Sequence, residues 1–194
     1  QAFGKLDASL REVPADLLSL SAHKLGGPSG VGVLFNRRGV DVAGVTPGHQ
    51  ENGRRGGTQS AAFAEALALA LSLSRPDARL GALRDEFEDK LRAALPDVEL
   101  NGTAPRVGNT SNLHFPGVDG EALLIALDLE GICVSTGAAC ASGSLSPSHV
   151  LLAMGRTSSQ AHASLRFSFG EDTTSEQLHT VVAALARLVP VNRT

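Results

Sequence analysis

The sequence predicts an α/β chain that ends in a compact α+β unit. Two β-rich runs near the start flank a glycine-rich turn, two helical patterns occupy the middle, and from Val98 onward short strands alternate with helices.

Asp16-Leu17-Leu18-Ser19-Leu20-Ser21 alternates apolar and small polar residues, the pattern of a buried strand. Val31, Val33, Leu34 and Phe35 form the second run. Between them, Gly26, Gly27, Gly30 and Pro28 allow a tight path with positive φ, so the turn can approach a ligand that bulky side chains would exclude. Lys24 is expected at the strand end, facing a gap. A lysine amine set among polar groups attacks carbonyls, and its best-known use is a Schiff base with pyridoxal phosphate. Ser21 and His23 are candidates to hold that cofactor's phosphate. A lone lysine beside glycine is more often an ordinary surface residue, but lysine is scarce here: only Lys5, Lys24 and Lys90 among 17 basic residues.

Gly44 to Gly57 is polar, contains five glycines and has no apolar periodicity, so it reads as a loop. Ser60 caps a helix running to about Ser74. Asp77 caps another, with Leu80, Leu83, Phe87 and Leu91 spaced by three and four and Pro96 as its stop. Both read as structural helices. Val98 to Leu100, Thr110 to Phe115 and Ile132 to Val134 read as strands, and Glu121 to Leu129 as a helix capped by Asp119. A helix opens at Ser146 and Pro147. The last one runs from about Ser175 to Leu188, with Thr173 and Glu176 as its capping box and Leu178, Val181, Val182, Leu185 and Leu188 as its apolar stripe.

Two further centres carry chemistry. Ser135 to Ser144 is a run of small residues around Cys140 that buries little apolar surface, so it is expected to be mobile and able to carry a reactive thiol. Cys133, by contrast, reads as a small buried hydrophobe. Ser164 to Gly170 is an alternating strand with one arginine, Arg166, whose planar fork suits a carboxylate and whose charge requires a partner, whether a structural acid or a ligand.

Composition narrows the remaining classes. With 194 residues, 42% hydrophobic, the chain can bury a large core as one domain or two small ones. A net charge of −3 with interspersed signs gives no nucleic-acid groove or membrane-binding patch. The apolar stretch from Ala61 to Leu73 contains Glu65 and is too short to span a bilayer, and no secretory signal is seen. The two cysteines, six residues apart, make neither a disulfide nor a metal site a strong expectation, and a reduced, cytoplasmic setting is the simpler assumption. A metal module drawing on Cys133, Cys140, His149 and His162 fits no strong zinc spacing.

Four segments together resemble one family. Ser21-Ala22-His23-Lys24 followed by Gly27-Pro28-x-Gly30-x-Gly32 resembles the cofactor-lysine segment of cysteine desulfurases, fold type I pyridoxal phosphate enzymes of aminotransferase class V of the iron-sulfur and nitrogen-fixation type. Arg55-Gly56-Gly57-Thr58 resembles that family's Arg-x-Gly-Thr, and Arg166-Phe167-Ser168-x-Gly170 its Arg-Phe-Ser-x-Gly. Ser135-x-Gly137-x-Ala139-Cys140 followed by Ser144-Leu145-x-Pro147-Ser148-His149-Val150-Leu151 resembles its active-cysteine loop in the long-loop class, with Ala138 where a second serine is usual.

The resemblance implies the end of a fold type I large domain with a connecting helix over 1–78 and a small α+β domain over 79–194. It implies pyridoxal 5'-phosphate on Lys24, with Ser21 and His23 at the phosphate, His23 near the ring and relaying protons, and Gln1 on the phenolic oxygen. Thr58 is implied to contact the phosphate of a partner subunit's cofactor, hence a homodimer. Arg166 is implied to clamp the α-carboxylate of L-cysteine. Cys140 is implied to take up its sulfur as a persulfide, releasing L-alanine, for delivery to a sulfur acceptor such as an iron-sulfur scaffold protein. A selenocysteine lyase or related aminotransferase-like enzyme, or a non-catalytic subunit that docks acceptors, remains open. Gln1 is not an initiator methionine, and the resemblance implies that about half of the parent lies before it, including an aspartate for the pyridine nitrogen, a ring-stacking residue and an asparagine at the substrate carboxylate. This chain alone is therefore expected to be inactive.

Overall fold

The computed structural model describes residues 2–6, 8–11, 13–136 and 146–193. The chain divides into two compact units, Gln1–Pro76 and Asp77–Thr194, and its architecture is mixed α/β.

In the first unit, β1 (Leu17–Ser21) and β2 (Gly32–Asn36) pair antiparallel, with Leu20 opposite Val33 and Ser21 opposite Gly32. A single 3-10 turn, Ala22–Leu25, follows β1 directly. Helix α1 (Ala61–Leu73) begins where Ser60 Oγ accepts from the Phe63 amide at 3.3 Å, as its sequence predicts. The 3-10 turn packs on α1 through small residues: a Cβ added at Gly27 would stand 3.0 Å from Ala22 Cβ and 3.1 Å from Ala70 Cβ.

The second unit is a four-stranded antiparallel sheet, order β3-β4-β6-β5, formed by β3 (Glu99–Leu100), β4 (Thr110–His114), β5 (Ser135–Thr136) and β6 (Ser164–Ser168). Helices α2 (Ala78–Ala94), α3 (Gly120–Asp128) and α6 (Ser175–Val191) supply the rest of its core. Two short helices, α4 (His149–Ala153) and α5 (Ser158–His162), precede β6. Leu80, Leu83, Phe87 and Leu91 of α2 meet Leu113, Leu165 and Phe167 of the sheet and Leu178 and Leu185 of α6 in one core, as the three-and-four spacing predicts. Phe87 lies 5.0 Å from Phe167 and 5.7 Å from Phe169 between ring centroids.

Several local expectations are corrected. Ile132 to Val134 is not a strand: the Ile132 amide still bonds back to Leu127 O at 3.0 Å, Gly131 takes φ 76°, and pairing starts at Ser135. Ile132 and Val134 are apolar because they pack on the core. The α6 capping box is Thr174 with Gln177, because Thr174 is the extended residue immediately before the helix, while Thr173 Oγ accepts from the Gly170 amide. The helix expected at Ser146 and Pro147 begins after Ser148, whose Oγ accepts from the Leu151 amide. Cys133 is exposed rather than buried: its segment leads to the edge strand and borders a cavity of about 350 Å³ together with Phe87, Phe167 and Phe169. Among the described residues no helix is long and apolar enough to cross a membrane.

Candidate functional site

Lys24 sits on the 3-10 turn, three residues beyond the end of β1, where the sequence had placed it at the strand end itself. The turn is closed at both ends. The Ala22 amide donates to Val31 O at 3.1 Å and the Gly27 amide to Ala22 O at 3.0 Å, while Gly26 takes the left-handed φ of 77° that a side chain would resist. Ala22 is the buried anchor, leaving His23 and Lys24 exposed and Ser21 half-buried. A hydroxyl, an imidazole and a primary amine thus fall within four residues on a backbone that packing holds in place. That donor set fits a phosphorylated aldehyde: the amine for its carbonyl carbon, the hydroxyl and imidazole for its phosphate.

The glycine-rich loop ahead of Thr58 folds back on itself. The Val45 amide bonds to Arg54 O and the Gly56 amide to Thr46 O, while Gln50 Oε1 accepts from the Gly57 amide at 3.1 Å. A Cβ at Gly56 would stand 1.8 Å from Pro47 O, so the loop's two arms touch backbone to backbone. Arg55 Nη1 ties the carbonyls of Gly56 and Gly57, each at 3.1 Å. Thr58 emerges exposed from this closed loop.

Arg166 lies in the second unit, half-buried on β6, opposite Asn112 of β4 on one side and Ser135 of β5 on the other. Strand alternation turns its neighbours Leu165 and Phe167 into the core and Arg166 to the other face. Its Nη2 donates to Ser135 Oγ at 3.4 Å. On that face, buried Asn101 donates through Nδ2 to Asn112 Oδ1 at 2.7 Å and to Ser164 Oγ at 3.0 Å. Sequence reading missed Asn101 and Asn112, whose only signal is the register that aligns them with Arg166, and it named Ser135 in the Cys140 segment without linking it to Arg166.

Glu88 was missed as well. It falls on the apolar side of α2, 3% exposed, with Arg106 bidentate at 2.7 and 2.9 Å and Ser111 Oγ donating at 2.8 Å. Burial pushes its carboxyl upward, but the hydrogen bonds from Arg106 and Ser111 outweigh that and hold it below the usual carboxylate range. Its role is structural: it joins α2 to β4. Gln1 and Cys140 lie outside the described residues.

Residues 1–181 match the aminotransferase class-V family. The chain belongs to that family. Among curated relatives it is 42% identical to cysteine desulfurase 2 of Trichormus variabilis, over 97% of this chain and 49% of the relative. It is also 42% identical to the cysteine desulfurase IscS of Dictyoglomus turgidum, over 100% of this chain and 51% of the relative. A solved NifS-like protein from Rickettsia africae superposes with a TM-score of 0.85 at 27% identity, over 98% of this chain and 52% of that one. The chain spans about half the length of the curated relatives it matches. The family resemblance read from the four motifs is therefore borne out, and the fold agrees with part of a fold type I enzyme.

Proposed function

We propose that the protein containing this chain is a cysteine desulfurase that uses pyridoxal 5'-phosphate, converting L-cysteine to L-alanine and leaving the sulfur as a persulfide on Cys140. The observation that carries this is the exposed Lys24 amine on its glycine-locked turn, within a chain whose curated relatives are named cysteine desulfurases. When bound, the cofactor supplies an electron-withdrawing ring that acidifies the substrate's α-proton.

The chain's own residues divide the remaining work. Lys24 Nζ would hold the cofactor through its aldehyde carbon and, once freed, would move the substrate's α-proton. Ser21 and His23 bind the phosphate, and Gln1 the phenolic oxygen. Thr58 reaches the phosphate of a partner subunit's cofactor, making the enzyme a homodimer. Arg166 binds the α-carboxylate through its fork. The Cys140 thiolate attacks the substrate sulfur: the S–S bond forms, the Cβ–S bond breaks, and its electron pair stays with the substrate carbon, which takes a proton to become the methyl of alanine. The persulfide then passes to a sulfur-acceptor protein, an iron-sulfur scaffold among the candidates.

In the full-length, cofactor-loaded protein, Cys140→Ala is expected to retain the cofactor's visible absorption while sulfide and persulfide release stops. Desulfuration at the normal rate by that variant would overturn the persulfide role.

A further inference from the structure

We propose that Arg55 is a positioning residue for Thr58: by bridging the carbonyls of Gly56 and Gly57 it fixes the two peptide planes that lead into Thr58, and so sets how firmly that hydroxyl holds the phosphate of a partner subunit's cofactor. This rests on the reading of Thr58 as the phosphate contact. A glycine pair is where a backbone turns most freely, and Thr58 follows one. Arg55 Nη1 donates to Gly56 O and to Gly57 O, each at 3.1 Å. The first plane, which joins Gly56 O to the Gly57 amide, is held at both ends: Thr46 Oγ1 also donates to Gly56 O at 3.4 Å, and Gln50 Oε1 accepts from the Gly57 amide at 3.1 Å. In the second plane, which joins Gly57 to Thr58, the Gly57 carbonyl accepts from Gln59 Nε2 at 3.2 Å as well as from Arg55. Gly57 is thereby kept at φ 96°, a value that a side chain would resist, and Thr58 leaves the loop in one direction.

The bonds supply direction rather than repair a deficit. Gly57 is exposed, so water would satisfy its carbonyl without any side chain. Upstream, Glu51 and Asn52 hold left-handed φ values of 52° and 56°, which are costly for residues that carry a side chain. That turn reverses the chain between the two arms, where the Val45 amide meets Arg54 O and the Gly56 amide meets Thr46 O, and so delivers Gln50 to Gly57. Backbone strain persists where surrounding contacts over-determine it, and here those contacts converge on the residue before Thr58. Arg55 is the side chain that bonds to the carbonyls of both planes.

A double-mutant cycle between Arg55 and Thr58 tests this. In the full-length protein stripped of cofactor, the Kd of pyridoxal 5'-phosphate is measured by absorbance titration, beside that of pyridoxal, which lacks the phosphate. Thr58→Ala is expected to raise the pyridoxal 5'-phosphate Kd about tenfold and Arg55→Ala about fivefold, the range of one lost hydrogen bond to a charged group. In the Thr58→Ala background Arg55→Ala is expected to add less than about twofold, because a residue that acts through Thr58 has nothing left to aim. Arg55→Lys keeps the charge and a donor but not the rigid guanidinium, and serves if the alanine variant folds poorly; about a threefold rise is expected, again absent without Thr58. Pyridoxal is expected to bind wild type and variants alike. If the arginine variants raise the Kd by the same factor with and without the Thr58 hydroxyl, Arg55 acts independently and the proposal is overturned. If they leave it unchanged while Thr58→Ala raises it, the proposal falls and the Thr58 contact stands. If Thr58→Ala leaves it unchanged, the Thr58 reading fails and the proposal with it. Equal weakening of pyridoxal would mark a merely structural role and overturn the proposal.

Discussion

The two units hold their candidate functional residues by different means. In residues 77–194, Arg166 rides on a strand whose alternate residues, Leu165 and Phe167, are locked into a core shared by α2, α3 and α6. Among the described residues of 1–76 the buried apolar side chains are Ala22, Leu67 and Ala70, while Phe63, Leu69 and Leu73 of α1 and Val33 and Leu34 of β2 stay exposed. The Lys24 turn is therefore held by local closure: two backbone hydrogen bonds, a left-handed glycine and a small-residue contact with α1. A platform built on a core resists distant change and fails cooperatively, whereas a turn built on close backbone contacts is sensitive to single atoms.

The largest effect is expected where the chemistry rests on one atom. Lys24→Ala in the full-length protein should abolish the cofactor's visible absorption and lower alanine formation at least about 10³-fold, since it removes the amine proposed both as point of attachment and as proton carrier. Normal absorption in that variant would remove Lys24 from the centre of the comparison.

Next in size is the ion pair inside the second unit. Glu88→Ala leaves Arg106 uncompensated and should cost about 3–5 kcal/mol in urea unfolding of the full-length protein. The sign of its pH dependence follows from the lowered carboxyl. The unfolded chain binds the proton more tightly, so the stability Glu88 contributes is fully present above the ordinary glutamate range, about pH 4.3, and is lost as pH falls through the lower folded value. Glu88→Gln should flatten this acid limb, which a series of unfolding midpoints between about pH 3 and 6 would detect; an unchanged limb would sink the assignment.

Gly27→Ala probes the other unit. A Cβ there meets Ala22 and Ala70 at 3.0 and 3.1 Å, so the turn must shift by tenths of an ångström. The expected cost is about 1–2 kcal/mol, with a weaker cofactor Kd in a fluorescence titration. Full stability with an unchanged Kd would show that the contact with α1 does not hold Lys24. The smallest change is Thr174→Ala, which removes the α6 cap and should cost about 1 kcal/mol without altering KM.

Much of this was legible in the sequence, and the reasons are physical. Ser60, Asp77 and Asp119 announce their helices because a cap is a local interaction between neighbours in the chain. The Ser21 to Gly32 segment announces its turn because glycine and proline constrain the backbone on their own. Asn101 and Asn112, and the bond of Ser135 to Arg166, were illegible because only the pairing of four strands, two of them two residues long, brings these residues to one row of the sheet. Cys133 was misread because a free cysteine is usually a small buried hydrophobe, whereas its segment leads to the edge of the sheet, where it is exposed. Glu88 had a signal that was passed over: a carboxylate on an apolar stripe calls for a buried cation, and Arg106 supplies it.

The alternation along β6 ties affinity to packing. A slip of one residue in its pairing would send the guanidinium into hydrocarbon and Phe167 out to water, so every side chain that secures Leu165 and Phe167 also guards the direction in which Arg166 points. Repacking the interior of this unit, even with volume conserved, would therefore be felt first as a change in the aim of the Arg166 guanidinium, before any loss of the fold itself.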